Sequence, residues 1–102
     1  MDEMRYTHND AEFLARLTPV RKKLYWRAIR RGMKEADLLF GNFAREYLAD
    51  MTDQEEKEFA DILHCFDQDL MNWITDKETV PHDLNTPTFQ KIKAFSPSLF
   101  IQ

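Results

Sequence analysis

Residues 34–51 read KEADLLFGNFAREYLADM, and this stretch decides the fold class. Its apolar residues recur every three or four positions, the spacing that places them on one face of an α-helix. They are Leu39, Phe40, Phe43, Ala44, Tyr47, Leu48 and Met51. Glu35 and Asp37 lie in the first turn, where carboxylates interact favourably with the helix dipole. The stretch therefore predicts a helix from about Lys34 to Asp50.

The residues before this stretch predict two more helices. Asp10 is expected to cap a short helix carrying Phe13, Leu14 and Leu17. Thr18-Pro19 is a strong start for a second helix, because threonine caps well and proline suits the first helical position. Its predicted apolar stripe consists of Val20, Leu24 and Ala28, flanked by Tyr25 and Ile29. Gly32 is expected to end it in a left-handed conformation, with Arg30 and Arg31 in the last turn.

The residues after this stretch continue the helical pattern. Thr52 and Glu55 match a capping box. The helix that they open is expected to turn Phe59, Ile62, Leu63 and Phe66 inward. Asp67-Gln68-Asp69 is interpreted as a turn and cap before a shorter helix, and Thr86-Pro87 starts a last helix that ends near Phe95.

These elements predict an all-α fold, a small antiparallel bundle of four to five helices. Gly41, inside the second long helix, costs about 1 kcal/mol relative to alanine, and its small size suits the close approach of another helix. We expect residues 18–95 to form a single domain, residues 1–17 a partly ordered extension, and residues 96–102 a tail.

Composition argues against most enzyme classes. The chain has two glycines, too few for a phosphate-cradling or dinucleotide loop, and one cysteine, too few for a disulfide or a Cys-cluster metal site. His64 and Cys65 are adjacent, so their side chains leave a helix about 100° apart and are badly placed to share a metal. We therefore expect no catalytic, metal-binding or cofactor-binding residues.

Charge is distributed unevenly along the chain, whose net charge is −4. Residues 16–34 hold eight basic residues and no acidic one, whereas residues 35–83 hold fourteen acidic and three basic residues. Two interpretations are open: a bipolar surface, or helices that attract each other. Nucleic-acid binding is disfavoured, because the carboxylates would repel a polyanion.

The charge changes sign in the segment Arg30-Arg31-Gly32-Met33-Lys34-Glu35. A glycine turn exposes backbone to a partner, Arg31 offers a planar fork of donors, and Met33 is an adaptable apolar contact. The segment is either a protein-binding patch or an ordinary helix end with a weak Arg31–Glu35 pair.

Arg31-Gly32-Met33-Lys34-Glu35 resembles the Arg-Gly-x-x-Glu motif of the succinate dehydrogenase flavinylation factors, also called succinate dehydrogenase assembly factor 2 or SdhE-type proteins. The resemblance covers roughly residues 18–80. It includes Leu24-Tyr25-Trp26-Arg27 before the motif, residues 35–44 after it, and Asp69-Leu70-Met71-Asn72-Trp73-Ile74 later.

The resemblance implies a non-enzymatic assembly factor, or chaperone. Such a factor binds the flavoprotein subunit of succinate dehydrogenase or fumarate reductase and promotes covalent attachment of FAD there. From the residues themselves we expect no tightly bound cofactor, because no glycine-rich phosphate site occurs, and no membrane insertion, because no run of 18 apolar residues occurs. The partner-binding residues that the resemblance implies are Arg31, Gly32 and Glu35, with Arg30 and Met33 as neighbours.

Two alternatives stay open: an antitoxin-like protein-interaction module and, less favoured, a nucleic-acid binder. The acidic N-terminus resembles no transit peptide, which favours a bacterial cytoplasm over a mitochondrial precursor, although a processed form in the mitochondrial matrix would look similar.

Overall fold

Six α-helices fill most of residues 10–97, the part of the chain that the computed structural model describes. They are α1 (Asp10–Ala15), α2 (Pro19–Ile29), α3 (Lys34–Tyr47), α4 (Asp53–Leu63), α5 (Asp67–Ile74) and α6 (Pro87–Phe95). Single 3₁₀ turns span Leu48–Asp50 and His82–Leu84. No strand occurs within residues 10–97. The all-α prediction is confirmed, with six helices in this range where four to five were expected.

The starts of the helices follow their local sequence signals. The Thr18 and Thr86 hydroxyls accept hydrogen bonds from the backbone amides of Arg21 and Phe89, at 3.2 and 3.1 Å. The capping box of α4 is complete: the Glu55 carboxylate accepts from the Thr52 amide at 2.9 Å, and Thr52 Oγ1 accepts from the Glu55 amide at 3.1 Å. These caps satisfy amides that have no partner inside their own helices.

The predicted face of α3 forms the centre of the core. Leu39, Phe40, Phe43 and Ala44 are fully buried, and Leu48 follows them into the core from the 3₁₀ turn. The regular helix ends at Tyr47, three residues before the predicted end, because the chain tightens into that turn.

Helix α2 packs closely against α3 at Gly41. A Cβ atom built on Gly41 would lie only 3.0 Å from Cγ2 of Ile29. The expected role of Gly41 in a close helix approach is thereby confirmed. The apolar face of α2 includes Leu24, Ala28 and Ile29, but not Val20, which is 56% exposed. The prediction for Val20 was wrong because the first turn of α2 directs Arg21, and not Val20, toward α4 and the 3₁₀ turn.

Arg21 connects α2 to the end of α3 and to α4. Its Nε donates to Glu56 Oε1 at 2.7 Å, and its terminal nitrogens donate to the carbonyls of Leu48, Ala49 and Met51 at 3.1, 3.3 and 2.6 Å. The guanidinium thus adds hydrogen bonds to three carbonyls at the end of α3, of which the Leu48 carbonyl also accepts from the Met51 amide at 3.3 Å. Arg21, one of the eight basic residues in residues 16–34, is therefore paired within the protein, as mutual attraction between helices predicts.

Short helix α1 packs on the same core. The Phe13 ring meets the ring of buried Tyr25 edge-on at a centroid distance of 4.9 Å, and Leu17 is buried. The predicted extension and tail fall outside the described residues at positions 1–9 and 98–102. Within residues 10–97, no helix is long and apolar enough to span a bilayer.

Helix α6 is attached to α4 through a buried carboxylate. Glu58 Oε1 accepts from the hydroxyl of Thr88 at 2.8 Å and from its amide at 3.3 Å, and Glu58 Oε2 accepts from Gln54 at 3.0 Å. The Thr88 amide belongs to the first turn of α6, where the helix dipole favours a negative charge. Glu58 is thus 9% exposed, although it lies in a stretch of sequence rich in carboxylates.

We expect Glu58 to make stability depend on pH. The hydrogen bonds from Gln54 and Thr88 lower the pKa of Glu58 below the ordinary value of 4.5. Its contribution is therefore complete above that value and is lost as pH falls through the lowered folded-state pKa. Glu58→Gln should be less stable than wild type at about pH 7, and the difference in the urea-derived free energy of unfolding should shrink at about pH 3. The control is Glu46→Gln, at an exposed position on α3. A Glu58→Gln difference that stays constant across this range would contradict the assignment.

Candidate partner-binding site

The five predicted partner-binding residues lie in the connection from α2 to α3 and in the first turn of α3. Arg30 and Arg31 follow the last residue of α2, so the expectation that they belong to its last turn was wrong. Met33 is the N-cap of α3, and Glu35 lies in its first turn. Arg30, Gly32 and Glu35 are exposed and Met33 is half-buried. The predicted residues thus form one continuous surface segment, which we call the motif loop (residues 30–35).

Arg31 is the exception, because its side chain is directed into the protein and is 7% exposed. Its Nε donates to Asp67 Oδ1 at 2.6 Å. Its two terminal nitrogens donate to the carbonyls of Leu63 and Cys65, each at 2.7 Å. The planar fork of donors that the sequence suggested for a partner is therefore used to hold the turn between α4 and α5.

Asp67 binds the motif loop from the other side. Besides Arg31, its carboxylate accepts hydrogen bonds through Oδ2 from the backbone amides of Gly32 at 2.5 Å and Met33 at 3.1 Å. The Arg31 amide donates to Asp37 Oδ1 at 2.5 Å, so the loop is also fixed to the first turns of α3. We call Arg31, Asp37 and Asp67 the loop clamp. It leaves the backbone of the motif loop little freedom to rearrange.

Gly32 is explained by this close contact. Its φ is not positive, so the predicted left-handed conformation was wrong. A Cβ atom built on Gly32 would lie 3.3 Å from Asp67 Oδ2, tighter than most real contacts of a Cβ atom. Glycine at this position lets the carboxylate approach the loop backbone closely.

The exposed side of the motif loop carries both charge and an aromatic surface. The Arg30 guanidinium lies over the ring of Trp26, 5.0 Å from its centroid, and Trp26 is 41% exposed. Arg31 pairs with Asp67 and not with Glu35, the weak pair considered from the sequence. Glu35 therefore presents its carboxylate at the surface.

Sequence reasoning missed the residues that hold this loop in place. Asp67 was interpreted as part of a turn and cap, but the N-cap of α5 is Phe66, and Asp67 is the first helical residue. Asp37 was expected only to interact with the helix dipole. Arg31 follows one helix and Asp67 begins another, and their opposite charges allow an ion pair. The local sequence does not show which of the many carboxylates Arg31 pairs with.

His64 and Cys65 lie on the turn that Arg31 holds. Cys65 is half-buried, burial raises the pKa of its thiol, and its Sγ lies 3.7 Å from the Asp61 carbonyl oxygen. A raised pKa keeps the thiol protonated and weakly nucleophilic near neutral pH. Across residues 10–97, no three His, Cys, Asp or Glu side chains are grouped closely enough to hold a metal ion.

The two adjacent arginines should differ sharply in their effect on stability. Arg31→Ala leaves the buried Asp67 carboxylate without its cation and should lower the free energy of unfolding by about 3 kcal/mol. Arg30→Ala is the matched control, and because Arg30 is exposed we expect a change within about 0.5 kcal/mol. Urea denaturation of both variants measures the difference. Equal losses would show that the clamp does not stabilise the fold.

Comparison of the sequence with known proteins identifies its family. Residues 22–96 match the family model described as flavinator of succinate dehydrogenase. The chain is similar to mitochondrial succinate dehydrogenase assembly factor 2 of Dictyostelium discoideum, with 31% identity over 80 residues, 78% of this chain and 57% of that protein. It is also similar to the FAD assembly factor SdhE of Photobacterium profundum, with 43% identity over 54 residues, 53% of this chain and 60% of that protein.

A third relative is the mitochondrial succinate dehydrogenase assembly factor 2 of Caenorhabditis briggsae, with 33% identity over 78 residues, 74% of this chain and 64% of that protein. The chain thus spans less than two thirds of the length of these relatives. No solved structure matches it significantly. Since the family model covers residues 22–96, which include the motif loop and the whole loop clamp, the chain belongs to the family of flavinators of succinate dehydrogenase.

Proposed function

We propose that this protein binds the flavoprotein subunit of succinate dehydrogenase, or of fumarate reductase, and promotes covalent attachment of FAD to that subunit. Family membership supports the proposal, and so do relatives named as FAD assembly factors. The structural observation that carries it is the motif loop, whose backbone is fixed by the loop clamp while Gly32 and Glu35 stay exposed.

The protein acts as a chaperone in this proposal, with no covalent chemistry of its own. FAD stays in the flavoprotein subunit, and the bond forms between two groups that the subunit itself holds. The motif loop docks on the subunit and favours the arrangement in which FAD and its acceptor side chain are close enough to react. Positioning of this kind lowers a barrier without adding a catalytic group.

The clamp divides the motif residues by role. Glu35 contacts the partner as a hydrogen-bond acceptor, and the exposed backbone of Gly32 permits close approach. Arg30 and Met33 border this contact. Arg31 is a positioning residue in this proposal, since its guanidinium donates to Asp67 and two carbonyl oxygens inside the protein.

The site of action follows from the partner. We propose that the protein works where the flavoprotein subunit matures, in the cytoplasm of a bacterium or in the mitochondrial matrix. Relatives from bacteria and mitochondria both occur.

We expect Glu35→Ala to reduce covalent flavin on the subunit at least fivefold without unfolding this protein. The residue is exposed, so its loss removes a partner contact and leaves the core intact. The measurement is in-gel flavin fluorescence of the subunit after incubation with FAD and each purified variant. Gly32→Arg should have a similar effect, because its side chain would crowd the Asp67 carboxylate and the docking surface.

The matched control is Glu46→Ala, which removes an exposed glutamate from the same helix, eleven residues or about 16 Å away. It should leave covalent flavin unchanged. Full flavinylation with both Glu35→Ala and Gly32→Arg would contradict the assignment of the motif loop. Failure of the wild-type protein to bind the subunit, with recovery of a toxin or cytoskeletal partner instead, would favour the antitoxin-like alternative.

A further inference from the structure

The turn between α4 and α5 exposes a large apolar side chain. Phe66 is 81% exposed, the most of any large hydrophobic residue within residues 10–97. The sequence pattern predicts it inward, and that prediction was wrong because α4 ends at Leu63 and the chain changes direction before Phe66. The other phenylalanines in this range are buried or half-buried: Phe13, Phe40, Phe43, Phe59, Phe89 and Phe95. Leaving such a ring in water forgoes about 2 kcal/mol of burial free energy.

Phe66 lies beside the motif loop. The residue that follows it, Asp67, accepts hydrogen bonds from the amides of Gly32 and Met33. The carbonyl of the residue that precedes it, Cys65, accepts from Arg31. The ring is therefore carried on a turn whose two sides are both attached to the motif loop.

Attachment on both sides also holds in place the short turn from which the exposed ring projects. The backbone carbonyl of Cys65 and the side-chain carboxylate of Asp67 are held by contacts of 2.5 to 2.7 Å, and Phe66 itself is the extended N-cap of α5. An aromatic side chain on a fixed backbone loses little entropy when a partner covers it. Rigid aromatic anchors of this kind account for much of the binding energy at protein interfaces.

We propose that Phe66 extends the partner-binding surface beyond the motif loop and inserts into an apolar pocket on the flavoprotein subunit. This proposal rests on the proposed function. It adds the turn between α4 and α5 as a second contact region, with an apolar recognition chemistry that differs from the polar chemistry of Glu35.

The size of the exposed surface favours the same partner for both regions. A phenylalanine buries about 150–250 Å², whereas a stable interface takes about 800 Å² from each protein. Phe66 alone is too small a surface for an independent partner or for self-association. The motif loop, attached to the same turn, supplies the remaining contact area.

The surroundings of Phe66 fit an anchor with a polar rim. His64 and Gln68, two residues to either side, are exposed, and so are Lys34 and Glu35 on the motif loop. Interfaces commonly place an apolar side chain at the centre and polar groups at the edge, where water remains.

The test is the affinity of purified variants for the purified flavoprotein subunit with FAD present. Phe66→Ser should weaken binding about thirtyfold, the effect of losing an interface anchor. Phe66→Leu, which stays apolar, should recover much of that loss. Val20→Ser is the matched control, because Val20 is also an exposed apolar residue but lies at the far end of α2, about 15 Å along the helix from the motif loop. It should bind like wild type.

Thermal denaturation of the variants and light scattering of the protein serve as controls. All three variants should keep the thermal midpoint of the wild type within a few degrees, since neither side chain is part of the core.

A thirtyfold loss of affinity in Phe66→Ser alone supports the proposal. Wild-type affinity in Phe66→Ser, alongside weak binding by Glu35→Ala, would overturn this inference and leave the proposed function intact. No binding by the wild-type protein would overturn both. A wild-type dimer that Phe66→Ser converts to a monomer in light scattering would assign Phe66 to self-association and overturn the proposal.

Discussion

The ion pair between Arg31 and Asp67 is the contact on which the surface of this protein depends. It joins the connection between α2 and α3 to the turn between α4 and α5, two segments that are 36 residues apart in sequence. Both side chains are largely withdrawn from water, at 7% and 13% exposure. Desolvation makes such a pair a weak source of net stability. Its main consequence here is geometric, because it holds the two segments against each other.

The pair is tolerated away from water because each of its nitrogen and carboxylate oxygen atoms has a hydrogen-bond partner. The three donating nitrogens of Arg31 meet one carboxylate oxygen and two carbonyls, and the second oxygen of Asp67 meets two amides. Buried charges are tolerated when their hydrogen bonds are complete. Arg21 does the same at the other end of α2 with Glu56 and three carbonyls. Arg21 and Arg31 thus hold the two ends of α2. The basic segment and the acidic segment of the sequence are therefore partly paired with each other within the protein.

Local signals were sufficient to predict most of the helices. Thr18, Thr52 and Thr86 cap helices because a hydroxyl three residues before an amide can reach it whatever the rest of the chain does. Periodicity also identified the buried face of α3. It failed at Val20, which is exposed, and at Phe66, which lies beyond the end of α4, because a periodic pattern shows neither which neighbours cover a residue nor where the helix ends.

The motif loop could be located from the sequence, but its internal contacts could not. Arg31 was predicted to face a partner because a surface guanidinium and a buried one look alike in a sequence. Gly32 was assigned to a left-handed turn, the commonest reason for a glycine after a helix. The reason that the structure gives, the approach of Asp67, involves a residue 35 positions away. Contacts of that range depend on the packing of α4 and α5, which no local signal contains.

A fixed loop also suits the proposed role. Ordering a flexible residue on binding costs about 1–2 kcal/mol, so an unclamped loop of six residues would lose much of its contact energy to entropy. A protein that contributes only positioning to the reaction of its partner gains most from a surface that is already in its bound arrangement. The clamp provides this before the partner arrives, and it does so by turning the most strongly hydrogen-bonding residue of the motif inward. Loss of flavinylation on changing Arg31 would therefore not by itself identify a partner contact, because such a change also releases the backbone that carries Gly32 and the turn that carries Phe66.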